Sequence, residues 1–106
     1  ASEQYLQQQG LQPIERNFNR RGGEIDLVMR DGETLVFVEV RFRKSDRFGT
    51  PAESITANKR RKLLQTAQLY LLAYPLWRNK SCRFDVVAVR PGESGLQFEW
   101  IKNAFG

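Results

Sequence analysis

The chain has 106 residues, with 17 Lys and Arg against 12 Asp and Glu, for a formal charge of +5. Hydrophobic residues make up 41% and charged residues 27%, a globular balance that excludes a disordered or collagen-like chain and supports one domain, 1–106, built on a single core. There is no histidine and one cysteine, Cys82, so an internal disulfide, a Cys/His zinc site and any histidine-dependent triad are excluded, and chemistry must rest on carboxylates, Lys/Arg, hydroxyls or a hard cation held by oxygen.

Residues 1–9 are good helix formers ending at Gly10, and they read as the end of a longer helix whose N-terminal part lies upstream of Ala1. Residues 14–17 are an extended piece leading into the basic turn Asn19-Arg20-Arg21-Gly22-Gly23. A hairpin follows, with strands at 24–30 and 33–43 around an Asp31-Gly32 turn. In that register Arg30 faces Glu33, Ile25 faces Val38 and Leu27 faces Val36, so Ile25, Leu27 and Met29 share one apolar face. The other face carries Glu24, Asp26, Glu39, Arg41 and Arg43, with Asp26 opposite Phe37 and Glu39 its diagonal neighbour, roughly 7 Å away.

A helix is predicted to start between Glu53 and Thr56 and to run to Tyr74, stopped by Pro75, with Ile55, Leu63, Leu64, Ala67, Tyr70, Leu71 and Tyr74 as its apolar stripe. Strands at 83–90 and 96–101 flank a turn at 91–95. Mixed strands and a crossover helix make an α/β fold with a mixed central sheet. No apolar run approaches the ~18 residues needed to cross a bilayer and no signal-peptide pattern is present, so the expected setting is the cytoplasm, with no membrane partner.

Asp26, Glu39 and Arg41 are the first candidate constellation. Two acids on one face repel, which raises a carboxyl pKa unless a cation compensates, and Mg²⁺ suits their hard oxygens. Arg41 points the same way as Glu39 and suits a phosphate oxygen. Spacing alone leaves open the plainer alternative of acids and arginines alternating on a solvated sheet face.

Those residues also carry a resemblance. Gly23-Glu24-Ile25-Asp26-Leu27-Val28, then Phe37-Val38-Glu39-Val40-Arg41-Phe42-Arg43, Phe48-Gly49, the helix opening with Lys59, Arg83-Phe84-Asp85-Val86-Val87 and Trp100-Ile101-Lys102 together resemble the bacterial YraN family. Its members are similar to Holliday-junction resolvases and belong to the restriction-endonuclease-like superfamily. The resemblance implies a metal-dependent endonuclease acting on structured or branched DNA in repair or recombination, with Asp26 and Glu39 holding Mg²⁺ or Mn²⁺. The superfamily's Glu-x-Lys falls on Glu39 and Arg41; arginine stays charged, so it clamps phosphate but transfers protons poorly. The first-helix acid of relatives would lie upstream of Ala1.

Lys59 lies four residues after Ile55 and four before Leu63, on their inward side. It is a candidate replacement for the missing lysine; the alternative is a stem snorkelling along the apolar stripe. Arg20, Arg21, Arg43, Lys44, Arg47, Arg60 and Lys62 are the candidate nucleic-acid contacts, each suited to neutralising a phosphate and each equally suited to a solvated surface. Phe42, Phe48 and Trp77 are assigned to the core, with stacking on unpaired bases as the alternative. Glu24 is either a further ligand or an ion-pair partner of a nearby arginine, Asp85 most simply satisfies a backbone group or an arginine, and Cys82 reads as a small buried apolar residue.

Nucleic acid, DNA above all, is thus the expected partner. A junction-cutting activity would gain from two-fold symmetry, so a homodimer is the geometric expectation. The competing readings are a non-catalytic nucleic-acid-binding module on the same scaffold and a basic scaffold that docks an acidic protein.

Overall fold

The computed structural model describes residues 1–44 and 51–105. A short helix, α1 (Ser2–Gln8), leads into strands β1 (Gln12–Arg20), β2 (Gly23–Asp31) and β3 (Thr34–Phe42), then helix α2 (Ala57–Ala73), a 3₁₀ turn (Pro75–Trp77), and strands β4 (Cys82–Gly92) and β5 (Gly95–Phe105). The strands form one sheet in the order β1-β2-β3-β4-β5. Neighbours are antiparallel except β3 and β4, which are parallel and are joined through α2, as a parallel pair requires. This is the α/β, mixed-sheet architecture compatible with a restriction-endonuclease-like fold. No helix among the described residues is long and apolar enough to cross a membrane.

Both sheet faces are covered. On one, Ile55, Leu63, Ala67 and Tyr70 of α2 and its lead-in pack on Phe18, Ile25, Val28, Leu35, Phe37, Phe84 and Val86. Tyr70 meets the rings of Phe18 and Phe37 edge-on, at centroid distances of 5.0 and 5.7 Å, the favourable aromatic geometry. On the other, Leu6 and Leu11 cover Leu27, Met29, Val36, Val38, Val87 and Val89. Helix α2 starts at Ala57, just past the expected window of Glu53 to Thr56, because Thr56 caps it, accepting from the Lys59 N–H at 3.1 Å. Leu64 and Tyr74 leave the expected stripe and are about 40% exposed, because the buried face is narrower than the run of apolar residues.

The hairpin differs from expectation in two ways. First, its pairs are Asp31↔Thr34, Met29↔Val36 and Leu27↔Val38, so the turn is Gly32-Glu33, with Gly32 in the left-handed region at φ 62°. A two-residue shift preserves which face each side chain occupies, so hydrophobic pattern cannot detect it. Second, Ile25 does not share a face with Leu27 and Met29; it packs under α2, and they pack under α1. The faces exchange at Asp26. Across from it in β1, between the pairs Arg16↔Leu27 and Phe18↔Ile25, Asn17 has φ 51°, and this left-handed residue breaks the strict alternation of both strands.

Strand β1 is longer than the predicted extended piece because Pro13 and the polar residues around it are tolerated at a sheet edge. Cys82 is exposed, since it opens β4 beyond the reach of the core. Phe42 is 76% exposed and not a core residue, whereas Trp77 packs against the α2-side cluster. Phe48 and Gly49 lie outside the described residues.

Candidate active site

Residues 39 and 41 of β3 project toward the α2 side, where α2 begins. The regular β2–β3 ladder ends at Leu27↔Val38, and one further step would set Asp26 directly across from Glu39 instead of diagonal to it. There Asp26 Oδ2 accepts the backbone N–H of Val40 at 2.8 Å, so a carboxylate takes over the N–H at the end of the ladder. The kink at Asn17 and Asp26 and this hydrogen bond together hold the Asp26 carboxyl against Glu39.

Glu39 is buried, at 7% exposure, and its Oε2 has no hydrogen-bond partner. Burial pushes its pKa up to about 8, helped by the hydrogen-bonding Asp26 carboxyl, while Lys59 and Arg41 pull it down. Lys59 Nζ lies 3.8 Å from Glu39 Oε2. The first turn of α2, set by the Thr56 cap, therefore delivers an amine to the carboxyl pair. Among the described residues no third His, Cys, Asp or Glu joins the pair to make a metal-ligating group of three. Two carboxyls, one with an unsatisfied buried oxygen, nevertheless form a donor set that fits a hard divalent cation.

The family model of the uncharacterised protein family UPF0102 matches residues 1–89. A UPF0102 protein of Saccharophagus degradans is 51% identical over 104 residues, covering 98% of this chain and 85% of that protein. Another from Stutzerimonas stutzeri is 47% identical over 102 residues, 96% and 85% of the two chains, and one from Xanthomonas oryzae pv. oryzae is 52% identical over 105 residues, 99% and 84%. The chain belongs to the UPF0102 family. This is the YraN family of the motif resemblance.

The candidate nucleic-acid cations of this UPF0102 chain do not gather on one surface. Arg20, Lys59 and Lys62 line a groove of about 450 Å³ with Glu24, Gly22 and Gly23. The groove is held together by a close approach: a Cβ on Gly23 would meet Thr66 Oγ1 at 2.2 Å, so the β1–β2 turn sits against α2. Arg21 and Lys44 are exposed. Arg43 instead lines a separate cavity of about 300 Å³ with Arg90 and Glu99, and its Nη1 is buried without a hydrogen-bond partner. Arg60 is turned to the protein, donating to the carbonyls of Ala52 (2.8 Å) and Ile55 (3.1 Å), and so anchors the lead-in to α2. Arg47 lies outside the described residues.

Asp85 is fully buried on the opposite sheet face, aligned with Val38. It accepts from Arg83 Nε, Trp100 Nε1 and the Asn103 N–H at 2.9–3.0 Å, a structural role in keeping with the simpler sequence reading. Glu24 is exposed and lines the groove with Arg20. A larger cavity of about 480 Å³, missed by the sequence reading, opens on the α1 side of Asp26.

Proposed function

We propose that the chain is a metal-dependent endonuclease of structured or branched DNA, with Asp26, Glu39, Lys59 and Arg41 as its site. The observation that carries this reading is the contact of Lys59 Nζ, 3.8 Å from the unsatisfied, buried Glu39 Oε2. The resemblance to Holliday-junction resolvases supplies the substrate class.

Asp26 and Glu39 would hold Mg²⁺ or Mn²⁺, which when bound supplies charge neutralisation at the phosphate and a more acidic water. Asp26 is oriented for this by the Val40 N–H. Lys59 would hold a non-bridging phosphate oxygen beside Glu39 and, unlike Arg41, can give up a proton. Arg41 clamps phosphate on the same face, and Arg20, Lys59 and Lys62 lead the backbone away along their groove.

The test is cleavage of labelled four-way-junction, flap, single-stranded and duplex DNA with Mg²⁺ or Mn²⁺, beside Asp26→Ala and Glu39→Ala. Cleavage that both substitutions abolish, with binding retained, is the expected result; cleavage surviving in both sinks the assignment. The arginine at position 41 favours a second reading, a binding module without hydrolysis. It predicts tight, metal-independent binding and no cut product.

A further inference from the structure

We infer that the groove between the β1–β2 turn and α2 seats the nucleotide next to the scissile phosphate, and that Glu24 makes it favour a base carrying an exocyclic amine, cytosine over thymine. This rests on the nuclease-like reading above and adds a sequence preference to it.

The groove and the carboxyl pair share one residue. Lys59 lines the groove and lies 3.8 Å from Glu39 Oε2. Lys62 follows it by three positions on α2, so the two side chains are neighbours, with Cβ atoms roughly 5–6 Å apart. A strand that sets one phosphate at Lys59 therefore brings the adjacent one to Lys62. Arg20 reaches the groove from the β1–β2 turn and is already held in place. Its guanidinium lies over the Phe18 ring, 4.2 Å from the centroid, and its Nη1 donates to the Asn19 carbonyl at 2.7 Å. A guanidinium fixed on one edge offers its other N–H groups to a phosphate with little further ordering.

Glu24 is the residue that a plain phosphate channel would not carry. It is exposed, lines the same groove and, among the described residues, makes no ion pair. A carboxylate only accepts hydrogen bonds and repels phosphate, so the partner it suits is a donor elsewhere on the same nucleotide. Within a deoxyribose strand the sugars have no free hydroxyl, which leaves the bases. The groove, about 450 Å³, lies in the range of sites for small organic groups, roughly 300–1,000 Å³, so a base enters as well as a phosphate. Cytosine presents an N4 amine, for which Glu and Asp are matching acceptors; thymine presents the O4 acceptor in its place, which a carboxylate rejects.

The experiment measures binding of oligodeoxycytidylate and oligothymidylate of equal length to the full chain, without divalent metal. It compares wild type, Glu24→Gln and the double variant Arg20→Ala with Lys62→Ala. All three positions are exposed, so the variants are expected to keep the wild-type Tm. Glutamine both donates and accepts and serves thymine O4 as well as cytosine N4. Support is a wild-type preference of roughly fivefold for the cytosine strand, the lower end for a good base-edge contact, that disappears in Glu24→Gln. The two strands share sugar and phosphate, so only a base contact separates them. The double variant should also reduce the slope of log affinity against log salt by about 0.7, one phosphate's share for a single strand. Equal wild-type affinities, or a preference that Glu24→Gln retains, overturn the role of Glu24, and an unchanged salt slope overturns the phosphate seat. Cleavage alongside either of those results leaves the nuclease-like reading standing; the expected binding without any cleavage leaves the nucleotide seat standing and removes the nuclease.

Discussion

Lys59 Nζ sits 3.8 Å from Glu39 Oε2, the one oxygen of that buried carboxyl shown to lack a hydrogen bond. The amine comes from the first turn of a helix and the acid from the third strand, so neither is positioned without the other's element. Replacing Lys59 by Met keeps the stem and removes the charge. If the proposed activity is right, Lys59→Met should lower the cleavage rate by roughly 100-fold, the scale for losing one positioned electrostatic group, with DNA affinity reduced far less; single-turnover cleavage at saturating protein measures the difference.

Glu39 gives the protein a pH signature. Its pKa of about 8 in the folded chain, against an ordinary 4.5, arises first from burial. A raised carboxyl pKa favours the folded state in its protonated form, so the contribution is whole below pH 4.5 and is lost as pH rises to 8. Between those values wild type should lose stability, on the order of 5 kcal/mol, relative to Glu39→Gln, and the difference should be flat above pH 8. Urea unfolding of both proteins from pH 4.5 to 9 checks this.

The same proton competes with a cation. Affinity for Mn²⁺ at Asp26 and Glu39 should rise with pH by up to about tenfold per unit below 8, because binding must displace a proton, and level off above it. Calorimetric titration in two buffers of different ionisation enthalpy would reveal the released proton. Glu39→Gln should remove both the binding and the pH slope.

Gly23 is required by space. An added Cβ would meet Thr66 Oγ1 at 2.2 Å, the Lys62 carbonyl oxygen at 3.3 Å and Thr66 Cβ at 3.5 Å, so the hydroxyl is the main obstruction and the helix backbone a lesser one. Gly23→Ala should cost about 1–3 kcal/mol by overpacking, and Thr66→Ala in the same chain should recover part of it. Thermal unfolding of the two single variants and the double variant completes the cycle.

Asp85 is structural, on the face away from Glu39. Removing its carboxylate leaves the Trp100 indole N–H and the Asn103 N–H without an acceptor and Arg83 with Asp31 as its remaining partner. Asp85→Ala should therefore destabilise by about 2–5 kcal/mol, the scale for leaving buried donors unsatisfied, read by denaturant unfolding, while the folded protein's affinity for Mn²⁺ stays the same.

Much of this was legible in the order of residues. Thr56 before a helical stripe and Pro75 after it bound α2, because capping and proline geometry are local. Alternation of apolar and charged residues assigned Glu39 and Arg41 to one face of β3, and the four-residue spacing of Ile55, Lys59 and Leu63 turned the lysine inward. Three things were decided only by the tertiary structure. The two-residue register of the hairpin leaves side-chain parity unchanged, so pattern is blind to it. The left-handed Asn17, facing Asp26 across the sheet, moves Ile25 to the other face, and a single strand read alone cannot show a break that two strands share. The exposure of Phe42 is set by packing between distant elements, since an aromatic at a strand end has the same local sequence signal whether it is covered or left open.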